Sequence, residues 1–188
     1  NKTVDSQKLI ISLPPQISLN IKTQIMKKLI VVLTFLSVSF VNAQAYQGKG
    51  DNKFQVGANF QDNATGLNVS YDFGVGENIS LGFSSTYALG IDDKLNADFA
   101  DRFDIKARFN ANLGNVVNID ENFDIYPGLN FGLKNFGGHL GMRYFFSDGF
   151  GIYSEFNVPL AKYNSDTLTP AEKIHNQFTV SFGATFNL

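Results

Sequence analysis

The chain contains no cysteine and no tryptophan, and only two histidines and two methionines in 188 residues. Without cysteine there is no disulfide framework, no thiolate nucleophile and no Cys-ligated zinc. With only His139 and His175, a His-rich metal site is excluded as well. Charged residues make up 17% of the chain, and the mean hydropathy of -0.07 argues against an all-helical membrane protein. Long apolar runs are equally scarce: one stretch, Leu29 to Val41, stands out. A spanning helix needs about 20 apolar residues, so this run is too short to be an anchor.

Its flanks explain it. Met26-Lys27-Lys28 precedes it and Val41-Asn42-Ala43-Gln44-Ala45 follows. A positive start, a short apolar middle and small residues at the end make a secretory signal. Cleavage is expected after Ala43, with Ala45 as the second choice. Residues 1–25 contain no Met and carry Pro14-Pro15. They read as an upstream, non-native or disordered extension, 26–43 as the signal peptide, and 44–188 as the mature domain. Residues 1–43 hold five lysines against one aspartate, so the -2 of the whole chain becomes -6 without them. An acidic domain gives no electrostatic footprint for nucleic acid.

What the chain has in quantity is aromatic side chains, 19 Phe and 7 Tyr, and from Lys53 onward they fall on alternate positions. Period two is the strand signature. It predicts eight strands near 53–61, 65–75, 78–90, 102–113, 123–133, 138–146, 150–160 and 177–188, each about the length a tilted membrane strand requires. Pro127 lies inside the fifth, where proline donates no ladder hydrogen bond, and predicts a bulge or the start of that strand. Gly76-Glu77-Asn78 and Ser147-Asp148-Gly149 are tight-turn sequences. Thr169-Pro170-Ala171-Glu172 predicts a short capped helical turn in the last loop.

The alternation has two faces. One is apolar, aromatic and almost free of charge on all eight strands. The other is rich in glycine (Gly57, Gly74, Gly82, Gly128, Gly132, Gly141, Gly151, Gly183) and carries charges of both signs. Glycine weakens a water-facing strand but makes space in a narrow lumen. The apolar face therefore belongs outward, on lipid, and the polar face inward. Asp72, Asp104, Lys106, Arg108, Asp124, Arg143 and Glu155 all fall on the inward set, with Phe145, Tyr126 and Tyr153 to fill volume. Buried charges must be paired and hydrogen-bonded, so these seven are expected to form a structural plug with little or no conductance. The fold expected is all-β: an eight-stranded, antiparallel, up-and-down transmembrane barrel behind an N-terminal signal helix. An even strand number places both termini at the periplasmic end.

The last strand ends Ser181-Phe182-Gly183-Ala184-Thr185-Phe186-Asn187-Leu188. Ser181, Gly183, Phe186 and Leu188 match the C-terminal insertion signal of outer-membrane barrels, with Leu in place of the commoner final Phe. Tyr126-Pro127-Gly128-Leu129, the run from Gly137 to Phe146, and Gly151-Ile152-Tyr153-Ser154-Glu155-Phe156 resemble the small OmpX/OmpA-type and opacity-like outer membrane protein beta-barrel families. They are especially similar to members from Bacteroidota, which the Asn-Ala-Gln ending of the signal also fits. The resemblance covers residues 44–188. It implies the outer membrane of a Gram-negative bacterium, Sec export, the barrel-insertion machinery and outer-membrane lipid as partners, and no cofactor. It brings over no catalytic residue.

Candidate chemistry is thin. His139 falls on the lumen side and His175 on an external loop. Ser154 has lipid-facing parity and Ser181 sits on another strand, so no spacing marks a hydrolytic pair. Asp92-Asp93 with Asn96, Asp98 and Asp101 form an acidic loop without EF-hand spacing. The expectation is a non-enzymatic, monomeric structural or surface-interaction barrel, with no metal site, whose loops 91–101 and 161–176 would meet an external ligand. An enzyme or small-ligand transporter on the same barrel and a soluble lipid-binding barrel are the alternatives.

Overall fold

The computed structural model describes residues 45–91, 93–163 and 169–188, apart from the side chain of Asp93. The expected extension, signal peptide and cleavage at Ala43 lie outside these residues, as do Gln44 and Asp92.

Alternating apolar and polar positions produce eight strands. They are β1 (Asn52–Gln61), β2 (Ala64–Gly74), β3 (Ile79–Ile91), β4 (Phe103–Ala111), β5 (Phe123–Gly132), β6 (Asn135–Ser147), β7 (Phe150–Lys162) and β8 (Thr179–Asn187). Each pairs antiparallel with its sequence neighbours, and β8 returns to β1 through Phe54↔Phe186 and Gly57↔Gly183. The result is a closed barrel with no free edge. No helix of the described residues is long and apolar enough to cross a membrane.

The connections follow local chemistry. β1 and β2 are joined by two residues, with Asn63 at φ 61°, the left-handed conformation a tight hairpin needs. Asp148 and Gly149 make the equally short β6–β7 turn. Between β4 and β5 lies a single helical turn, Gly114–Val117, closed by Asn118 at φ 50°. The last loop carries the expected capped helix, Pro170–His175. Thr169 Oγ1 accepts from the Glu172 backbone N–H, and Glu172 accepts from that of Thr169.

Pro127 neither starts β5 nor bulges it. It sits inside the strand opposite Leu140 of β6. Its effect falls on the other edge: the β4–β5 ladder runs only from Lys106↔Gly132 to Asn110↔Gly128 and stops one residue short of the proline. The missing N–H shortens that seam.

The barrel is inverted relative to a water-soluble protein. Phe83, Phe109 and Phe131 stand outward and exposed, and Phe54, Phe156 and Phe186 lie on the same outer face. The aromatic rings gather at the two ends. One belt runs Tyr144–Phe146–Phe150–Phe186–Phe54 with centroid separations of 5.5 to 6.3 Å. At the opposite end lie Tyr87–Phe99, Phe131–Tyr163 and Phe156–Phe178. Two aromatic girdles around an apolar band are what a bilayer interface selects in a barrel. An ordinary apolar core is nearly absent: Ala64, Ala88 and Ile174 form one small cluster, packed by Ile91, Leu95 and Ala97.

Candidate functional site in the lumen and at its two ends

Inward positions of the eight strands are mostly polar or glycine, with Phe145, Ala64 and Ala88 among the exceptions, and the pleat delivers them to one narrow space. At its centre Arg108 of β4 reaches two carboxylates from different strands: Glu155 of β7 at 2.6 Å and Asp72 of β2 at 3.1 Å. His139 Nε2 lies 2.7 Å from Asn110 Oδ1 and 3.3 Å from the Arg108 guanidinium. One layer toward the termini, Arg143 of β6 donates to Asp124 of β5 at 2.7 Å and to Asn112 Oδ1 at 2.8 Å. The Tyr126 ring lies between the two arginines, 4.7 Å from the Arg143 guanidinium carbon and 5.9 Å from that of Arg108. Gln55 and Ser70 tie Tyr126 into the network. Lys106 is set apart, 3.7 Å from Asp104.

All seven charged residues expected in the lumen therefore face it, in three groups: Asp72–Arg108–Glu155, Asp124–Arg143 and Asp104–Lys106. Glycines supply the room. A Cβ on Gly141 would fall within the Tyr126 ring, and one on Gly128 within the His139 imidazole. Ser181, Gly183, Phe186 and Leu188 of the C-terminal signal lie on or just past β8: Ser181 is buried and bonded to Asn59, while Phe186 joins the outer aromatic belt.

Each end has a lid. At the end of the termini, Tyr46 folds in beside Lys53 and is 1% exposed. Its hydroxyl donates to Ile79 O at 2.6 Å, and its carbonyl accepts from Asn115. Lys53 pairs with Asp51 and Asn187 beneath it. Burial and the nearby Asp51 push the Tyr46 phenol up to about 12. At the opposite end the helix Pro170–His175 lies across the mouth. Ile174 is buried, its carbonyl accepts from Gln61, and Asn135 donates to the His175 carbonyl. His175 Nε2 lies 2.9 Å from Asp101 O, and burial lowers its pKa despite Asp104 nearby. Under this lid remains a cavity of about 20 Å³ lined by Lys106, Glu155, His175 and neighbours, room for about one water.

The sequence reading missed both lids. Tyr46 and Asp51 precede the first strand, where period-two patterning carries no signal. Lys53, Gln55 and the asparagines Asn110, Asn112 and Asn130 were visible as polar parity but not as partners, and Asn135 fell in an expected connection. Ser154 points outward, away from His139 in the lumen, so no nucleophile–base pair forms between them. Among the described residues no group of three or more His, Asp or Glu side chains converges to hold a metal ion.

Closed antiparallel topology, outward aromatic belts and an ionic interior define a membrane-type eight-stranded β-barrel. The chain belongs to the family described as Family of unknown function (DUF6646), whose model matches residues 35–188. No curated protein matches it. A solved structure described as "De novo design of transmembrane beta-barrels" is similar in fold, with a TM-score of 0.51 at 11% identity over 76% of this chain and 98% of that one.

Proposed function

We propose that the chain is a non-enzymatic outer-membrane barrel of a Gram-negative cell envelope, with a structural or surface-interaction role and a lumen that is a plug. The observation that carries this is the inverted distribution of side chains. Arg108, Arg143, Asp124 and Glu155 are buried, whereas Phe60, Phe83, Phe131 and Phe182 are exposed. In water that arrangement would expose a continuous apolar surface far beyond what soluble monomers carry. In a bilayer it is the stable one. The C-terminal signal and the resemblance to small OmpX/OmpA-type barrels of Bacteroidota support the same location, with Sec export and the insertion machinery as the route.

The plug is supported by the paired charges and by a lid at each end. An enzyme on this barrel would need an accessible polar cluster, and the polar cluster here is enclosed. A transporter would need a path, and the cavity under the loop-helix lid has room for about one water. Function then falls to the external loops 91–101 and 161–176. The test is planar-bilayer recording of purified protein. Silence is expected; large stable single-channel steps would overturn the plug. Full solubility without detergent, with no shift between boiled and unboiled samples on a gel, would overturn the membrane reading itself.

A further inference from the structure

The connection between β4 and β5 carries an apolar patch at an otherwise polar mouth. It opens with the helical turn Gly114–Val117 and runs on through Ile119. Val116 is 64% exposed, Val117 48% and Ile119 71%. Three large β-branched side chains on one short loop leave apolar surface that water covers only at a cost. Residues 114–122 also hold two carboxylates, Asp120 and Glu121, and no lysine or arginine.

Hydrogen bonds fix which side of the loop faces the mouth. Asn115 Nδ2 donates to the Tyr46 carbonyl at 3.1 Å, and the Glu121 carbonyl accepts from Ala45 N at 2.8 Å. A helix turns about 100° per residue, so Val117, two residues past Asn115, stands on the far side of the turn from the Tyr46 lid. The loop also adjoins the outward apolar band. It leaves β4 beyond Ala111, the outward partner of Ile79, and rejoins the barrel at Phe123, opposite Tyr144 of the aromatic belt. The rim pair Ile79↔Ala111 has no aromatic ring, so the belt is interrupted where the loop begins. The helical turn is about 6 Å long. The headgroup zone beyond the hydrocarbon is roughly 5–7 Å deep on each side, so a turn of that length that starts at the belt stays within it.

We propose that the 114–122 connection is an interfacial anchor, whose Val116, Val117 and Ile119 enter the headgroup region of a zwitterionic phospholipid leaflet and fill the break in the aromatic belt. The assignment rests on the membrane reading above. The bilayer is the occupant the position favours, because the apolar band beside the loop already brings it there. Burying the exposed parts of the three side chains favours the membrane by about a hundredfold. Asp120 and Glu121 choose the headgroup: an anionic leaflet repels them and a zwitterionic one does not.

The test uses the native chain in phosphatidylcholine nanodiscs, with the methyl signals of Val116, Val117 and Ile119 followed by NMR. An uncharged gadolinium chelate broadens groups in water, and phosphatidylcholine with a nitroxide on its headgroup broadens groups at the interface. Leu140, exposed in the middle of β6, marks the apolar band, and the amide of Lys49, exposed before β1, marks water. The three methyl-bearing residues should be broadened by the nitroxide and spared by the chelate, while Lys49 shows the reverse. Against an anionic surface two carboxylates take back roughly fivefold each, so in phosphatidylglycerol discs the chelate should reach the same methyls. Asp120→Asn with Glu121→Gln should restore their protection there, and gel migration of unboiled samples shows that this variant is folded. Broadening of Val116, Val117 and Ile119 by the chelate in phosphatidylcholine, with Leu140 protected, overturns the anchor alone. Equal protection in both lipids overturns the preference for a zwitterionic leaflet. Broadening of Leu140 by the chelate would remove the membrane reading itself.

Discussion

Replacing Arg143 by Met tests whether the lumen is a dry plug. Arg143 is 1% exposed and Asp124 fully buried, and the two meet at 2.7 Å. The substitution keeps most of the volume but leaves Asp124 with one partner, the Gly114 backbone N–H at 2.8 Å. A buried charge stripped of its counter-ion costs about 3–5 kcal/mol. Changing Asp124 to Asn at the same time removes that charge and keeps an oxygen for Gly114. What remains is the orphaned Asn112 Oδ1, which Arg143 had satisfied at 2.8 Å, worth about 1–3 kcal/mol. The double variant should therefore be more stable than Arg143→Met alone by roughly 2 kcal/mol. Urea unfolding in phosphatidylcholine vesicles reads this through far-UV circular dichroism and gel migration, because the chain has no tryptophan to report. A cost for Arg143→Met below about 1 kcal/mol would mean that water screens the pair. The lumen would then be hydrated throughout, and the plug reasoning would fail.

Two more outcomes bear on the packing and on the lid at the termini. Gly141→Ala places a methyl group inside the Tyr126 ring and should destabilise the barrel by about 1–3 kcal/mol, whereas Gly149→Ala, at a position open on all sides, should cost far less; the same unfolding assay compares them. The Tyr46 phenol titrates near 12 in the folded chain against an ordinary 10.0, so the folded state holds its proton more tightly. The stability it contributes is complete below pH 10 and is lost as pH rises from 10 toward 12; absorbance of tyrosinate against pH, in the native chain and in Tyr46→Phe, should show one phenol missing from the late-titrating class, and titration of Tyr46 at an ordinary pH would refute the buried lid.

The eight strands were legible because each carries its own periodicity, and the hairpin and capping signals are equally local: 62–63, Asp148-Gly149 and Thr169 to Glu172 are read without knowing the fold. The inward set was legible for the same reason, since parity along one strand decides the face. Pro127 shows the limit. Its missing N–H is a local fact, but whether it bulges the strand or merely ends the ladder to β4 depends on which edge it faces.

What the sequence by itself determined is the strand count, the outward-facing residues and the identity of the lumen charges, because all three follow from alternation within single strands. What only the tertiary structure decided is who pairs with whom and what closes the ends. Arg108 takes both Asp72 and Glu155, from strands two places and three places away around the barrel, and Arg143 takes Asp124 alone. Those choices depend on the stagger between strands and on the lumen's width, which no single strand encodes. Tyr46 and Ile174 become lids because barrel closure leaves two polar mouths, and the chain nearest each mouth, the residues before β1 and the loop before β8, folds in to cover it.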